Sequence, residues 1–69
     1  MSQEDLRMSK HLNEKVFEIR RRGLPEAEED ALVDPILDAL DPLWWSMTRA
    51  EQKELDAWIK EKRARGEIP

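Results

Sequence analysis

From residue 3 to residue 22 the apolar positions recur with a helical period. Met8, Leu12, Val16 and Ile19 are spaced by four, four and three residues, which at 100° per residue lines them along one face. The ends of this segment are also marked. Ser2 is a candidate cap, and Glu4 and Asp5 fall in the first turn, where the helix dipole favours acids. Arg20, Arg21 and Arg22 occupy the last turn, Gly23 suits the left-handed position after a helix, and Pro25 cannot continue it. Leu6 and Phe17 stand outside the main stripe and fall together on a second face, roughly 130° away. Two placements suit Phe17. One is under the following loop beside Leu24, since isolated apolar residues are common on surfaces; the other is a second contact surface for another chain.

The next segment, 26–46, is helical in period but carries two interruptions. Glu26, Glu28, Glu29 and Asp30 crowd its start, again where the dipole favours acids. At Asp34-Pro35 the proline removes a backbone donor and its ring meets the carbonyl of Ala31, four residues back. The same dipeptide is a good helix start, with Asp34 as cap and Pro35 in the first position. The chain is therefore expected either to kink or to restart there. Asp41-Pro42 repeats the device seven residues later, so that DPILDAL and DPLWWSM align. Seven residues make about two helical turns, and two copies fall short of a solenoid. The expectation is a bent segment, broken at Pro35 and Pro42.

A last helix begins at Thr48, where Thr48-Arg49-Ala50-Glu51 fits the capping box. Leu55, Trp58, Ile59 and the stem of Lys62 form its apolar stripe. Lys60, Lys62, Arg63 and Arg65 complement its C-terminal end, Gly66 closes it, and Glu67, Ile68 and Pro69 form a tail. No segment shows the period of a strand. The pattern predicts an all-α fold, a small three-helix bundle or helical hairpin with a Pro-kinked middle helix. The helices run over about 3–22, 26–46 and 48–65, within a single domain 1–69.

Length sharpens this picture. A chain of 69 residues buries only about 60% of the surface its unfolded form exposes, so its core is small. With no cysteine and one histidine, neither disulfides nor a cysteine- or histidine-rich metal site supports it. Regular helix packing, self-association or a partner remain. Charged residues make up 41% of the chain, 16 acids against 12 bases, for a net charge of −4. Both signs are interleaved with apolar residues, unlike a disordered chain. The negative balance opposes non-specific binding to nucleic acid, which is not expected as a partner. A charged N-terminus without an apolar run behind it gives no signal peptide, and no stretch approaches the ~18 apolar residues of a membrane span. Residues 32–47, the best apolar segment, carry acids on their other face, which anionic lipids would repel. The cytoplasm is the expected compartment, with no membrane contact.

Candidate chemistry is sparse. On a helix through 30–45, Asp30, Asp34, Asp38 and Asp41 form an acidic stripe opposite Leu32, Val33, Ile36, Leu37, Leu40, Leu43 and Trp44. At ~1.5 Å per residue these carboxylates spread over more than about 10 Å, instead of converging as a divalent cation requires. His11 lies off the apolar stripe, the serines and Thr48 lack a base, and Gly23 and Gly66 are helix stops rather than parts of a phosphate loop. Neither catalysis, a cofactor nor a small-molecule substrate is expected.

The paired tryptophans carry more weight. Adjacent helical residues point 100° apart, so Trp44 joins the buried arc while Trp45 turns toward the acids. Tryptophan is enriched at binding hot spots. The expected function is a small helical protein–protein interaction module: an accessory subunit, adaptor or inhibitor of a larger protein, or a self-associating unit. Its central anchor would be Leu43, Trp44, Trp45 and Met47, with Phe17 and Trp58 as secondary contacts. Asp38, Asp41 and Arg49 would be rim charges that set orientation more than affinity. Trp44 and Trp58 also suit a compact aromatic core, which would leave Trp45 for the partner. The alternative is a helix-turn-helix-like nucleic-acid-binding regulator using Arg20–Arg22 and Lys60–Arg65, with Arg49, Gln52 and Lys53 early in its reading helix. The negative net charge, and the lack of glycine in the turn at Met47, oppose it.

Overall fold

The structure, a computed structural model, describes residues 3–66 as three helices: α1 (Gln3–Arg21), α2 (Glu26–Ser46) and α3 (Arg49–Ala64). The candidate cap Ser2 and the tail Glu67–Pro69 lie outside the described residues. The fold is a small all-α bundle of flattened shape, 37 × 26 × 13 Å.

Each connection follows from local chemistry. Gly23 takes a positive φ of 66° after α1, a conformation that costs glycine little. The Arg22 N–H donates to the Ile19 carbonyl at 3.1 Å to close the last turn. The turn between α2 and α3 spans only Met47 and Thr48. There the expected capping box forms: the Glu51 N–H donates to Thr48 Oγ1 at 3.2 Å, and the Thr48 N–H donates to Glu51 Oε1 at 3.0 Å. Thr48→Ala removes one half of this exchange and is expected to lower stability by about 1 kcal/mol, read as a shift of the urea midpoint with an unchanged slope.

α1 is the central element. Leu6 clusters with Met47 and Leu55, while Val16 and Ile19 cluster with Val33. Early residues of α1 thus meet the end of α2 and late ones meet its start, so α1 and α2 run antiparallel. Leu6 beside Leu55 and Glu14 beside Lys62 show that α3 lies along α1 in the same direction. α2 and α3 make little direct contact with each other.

Two helices on one explain the two faces of α1. The expected stripe is only partly correct: Val16 and Ile19 are buried against α2 and Leu12 is half-buried, but Met8 is 50% exposed. Leu6 and Phe17, on the second face, are both buried. Neither placement considered for Phe17 holds. Its ring meets Trp58 of α3 at a centroid distance of 6.2 Å, while Leu24 packs on the Val16 cluster instead. The second face therefore serves α3 of the same chain. Between the two apolar clusters runs a polar seam. Ser9 is fully buried and its hydroxyl points at Met47 Sδ at 4.0 Å, while Asn13 Nδ2 donates to the Ser9 carbonyl at 2.8 Å.

α2 continues through both prolines as one helix of 21 residues. The expected break, with a restart capped by Asp34, is not observed. The carbonyls that lose their usual donors belong to Ala31 and Asp38, and both residues are exposed, as are Pro35 and Pro42. Water can serve those carbonyls on the outer side, so the missing bonds do not end the helix.

Candidate protein interface

The C-terminal end of α2 is held from three sides. The Met47 N–H donates to the Leu43 and Trp44 carbonyls, Gln52 Nε2 of α3 donates to the Trp44 carbonyl at 2.7 Å, and Ser46 Oγ donates to Asp5 Oδ2 at 2.7 Å. With the backbone so fixed, helical geometry separates the two tryptophans. Trp44 packs against the Leu6–Met47–Leu55 cluster. Trp45, one position on, is 73% exposed, the most exposed large hydrophobic residue among those described.

The expected anchor therefore divides. Trp45 stands in solvent and Leu43 is half-buried. Met47, at 5% exposure, is corrected from contact residue to core, because the two-residue turn folds it onto Leu6 and Leu55. Phe17, also at 5%, is corrected in the same way, since α3 covers it. Trp58 is half-buried between Phe17 and two lysines, with Lys62 Nζ 5.0 Å and Lys10 Nζ 5.9 Å from its ring centre. The Lys10 contact, with the Lys62–Glu14 ion pair at 3.4 Å, ties α3 to α1, whereas the Lys62 contact lies within α3.

The rim charges divide too. Asp38 and Asp41 are exposed on the Trp45 side of α2, whereas Arg49 is exposed on the first turn of a different helix. One residue, Leu37, departs from its expected place on the arc opposite the aspartates. Leu37 is 44% exposed and shares with Asp41 and Trp45 a row at four-residue intervals, whose side chains are neighbours on a helix. The signal is present in the sequence: at 100° per residue Leu37 falls about 40° from Asp41, beside the aspartates instead of opposite them.

Charge is strongly segregated. α2 carries seven carboxylates and no lysine, arginine or histidine, more than the whole net charge of −4. The ion pairs Arg22–Glu18, Lys62–Glu14 and Arg65–Glu61 all lie outside it. No α2 carboxylate is ion-paired among the described residues. Asp38 and Asp41 also lie in the C-terminal half of the helix, whose last turn holds no base and where the dipole favours cations.

The two basic clusters of the nucleic-acid alternative do share one end of the molecule, because α1 and α3 run in the same direction. Arg22, Lys62 and Arg65 are nevertheless engaged by glutamates of their own chain, and the acidic start of α2 follows directly after Pro25. Among the described residues, no three His, Asp or Glu side chains are grouped to hold a metal ion. None of the described helices is long and apolar enough to cross a membrane. No family model, curated protein or solved structure matches the chain.

Proposed function

We propose that the protein acts by contact rather than catalysis, as a small helical interaction module of the cytoplasm: an accessory subunit, adaptor or inhibitor of a larger protein, or a self-associating unit. The observation that carries this is Trp45, 73% exposed on a helix end that α3 holds by a Gln52 hydrogen bond to its backbone and α1 by a hydrogen bond between the Ser46 and Asp5 side chains. A rigidly presented tryptophan loses few rotamers on docking and supplies a large buried area. Trp44, Met47, Phe17 and Trp58 serve by holding that surface in place.

Sedimentation equilibrium on the purified chain separates self-association from a different partner. A photo-crosslinking residue at position 45, compared with one at exposed Ala39 on another side of α2, then marks what the surface meets in cells. Crosslinking at 45 well above that at 39, to a defined protein or to a second copy, supports the proposal. A monomer at every concentration with no excess at 45 removes it. Trp45→Ala is expected to weaken the association by on the order of 2 kcal/mol or more, with helicity by circular dichroism unchanged.

The nucleic-acid alternative rests on the shared basic end. If it held, Arg21→Ala and Arg63→Ala would reduce binding and flatten its salt dependence. An absence of affinity for duplex and single strands at low salt would remove it.

A further inference from the structure

We propose that the Trp45 face of α2 takes a cationic, arginine-bearing helical segment of another protein; this rests on Trp45 being a docking residue at all. Leu37, Asp41 and Trp45 lie in one row along the helix, and Asp34 and Asp38 form the adjoining row. All five are exposed. The face thus offers two apolar contacts with carboxylates between and beside them, and its chemistry specifies the complement.

Three observations select a cationic occupant. First, α2 holds seven carboxylates and no basic residue, and none is ion-paired among the described residues. Second, the like-charged neighbours Asp34 and Asp38, and the placing of Asp38 and Asp41 toward the C-terminal end, work against the helix that carries them. A docked cation relieves both effects. Third, Trp45 stands one helical turn from Asp41. An arginine reaching this point stacks its guanidinium on the indole face while its N–H groups bond a carboxylate. Lysine, a point charge without a flat face, gains less.

A second copy of the chain is the poorer occupant. A two-fold contact through this face sets aspartate rows against each other, which is strongly unfavourable. The basic end of another copy has Arg22, Lys62 and Arg65 already engaged.

The test uses the full chain, labelled with nitrogen-15, and three synthetic amphipathic helical peptides of one apolar pattern. Their polar faces carry arginine, lysine or glutamine. The Trp45 indole signal is identified by its loss in Trp45→Phe. Expected is a shift of that signal and of the amides around 34–45 with the arginine peptide. Its affinity should exceed that of the lysine peptide by about threefold and fall steeply as salt rises. Asp38→Asn with Asp41→Asn should weaken it about tenfold or more and flatten the salt dependence, and Trp45→Ala should erase the preference for arginine.

Equal, salt-independent binding of the glutamine peptide at Trp45 would overturn the cationic occupant while leaving Trp45 a docking residue. No shift at Trp45 with any peptide, beside clear crosslinking at position 45, would likewise overturn only the cationic partner. The same silence without crosslinking would overturn both. Self-association lost in the aspartate variant would assign the face to a second copy and overturn the proposal.

Discussion

Phe17→Ala is expected to leave most of the chain unfolded at 25 °C. Phe17 is 5% exposed and its ring rests on Trp58, so truncation removes both its own burial and the support of the indole. Phenylalanine-to-alanine changes in cores cost about 3–5 kcal/mol, and a single core in a chain this small rarely supplies more than about 3–5 kcal/mol in total. The variant should show a collapsed helical signal by circular dichroism and little cooperative transition in urea. A variant as stable as the parent, with weakened association, would return Phe17 to the role of a contact residue. Phe17→Leu keeps most of the volume and is expected to refold the chain, which distinguishes lost packing from an unrelated failure to fold.

Leu55→Ala has the second largest expected effect, a loss of about 2–5 kcal/mol. Leu55 is 4% exposed and joins α3 to α1 and to the turn through Leu6 and Met47, with Trp44, Trp58 and Ile59 around it. α3 has little contact with α2 and depends on α1. Loosening it should therefore free the α3 amides to exchange faster than those of Val16, Ile19 and Val33, which cluster elsewhere. Near-ultraviolet circular dichroism should fall as Trp44 and Trp58 lose fixed surroundings. Trp45, already in solvent, should contribute nothing to that change. Uniform exchange across all three helices would mean that the two clusters act as one cooperative unit across the polar seam of Ser9 and Asn13.

The two substitutions contrast with Trp45→Ala, which removes the largest exposed ring and should leave the fold alone. Size and hydrophobicity are the same for Trp44 and Trp45. What separates them is the 100° between neighbours on a helix and the pinning of that helix by Gln52 and Ser46.

Local signals at the two connections were legible along the chain. The helix stop at Gly23 and the capping box at Thr48 each depend on residues within four positions of one another, as does the split between Trp44 and Trp45. Short-range backbone geometry decides such features, and a single sequence contains all of it. The all-α class follows equally from the period of apolar residues. The placing of Asp34, Asp38 and Asp41 beside Trp45 was legible for the same reason, once the helix is known to run on.

Three matters rested on the assembled structure. Phe17 and Leu6 read as a stray second face because the period of α1 shows how many faces it has but not what covers them; α3, returning from far along the chain, is what buries Phe17. Met8 matched the stripe perfectly in spacing and is half in solvent, since the two helices on α1 leave that side uncovered. The prolines of α2 carry a real local penalty, yet the helix continues, because the orphaned carbonyls belong to the exposed residues Ala31 and Asp38 and the inner side is held by Val33 and Trp44, with Met47 just beyond it. Residue order alone determined which elements form and which neighbours share a face. Only tertiary packing decided which faces are covered, because burial depends on contacts between residues tens of positions apart.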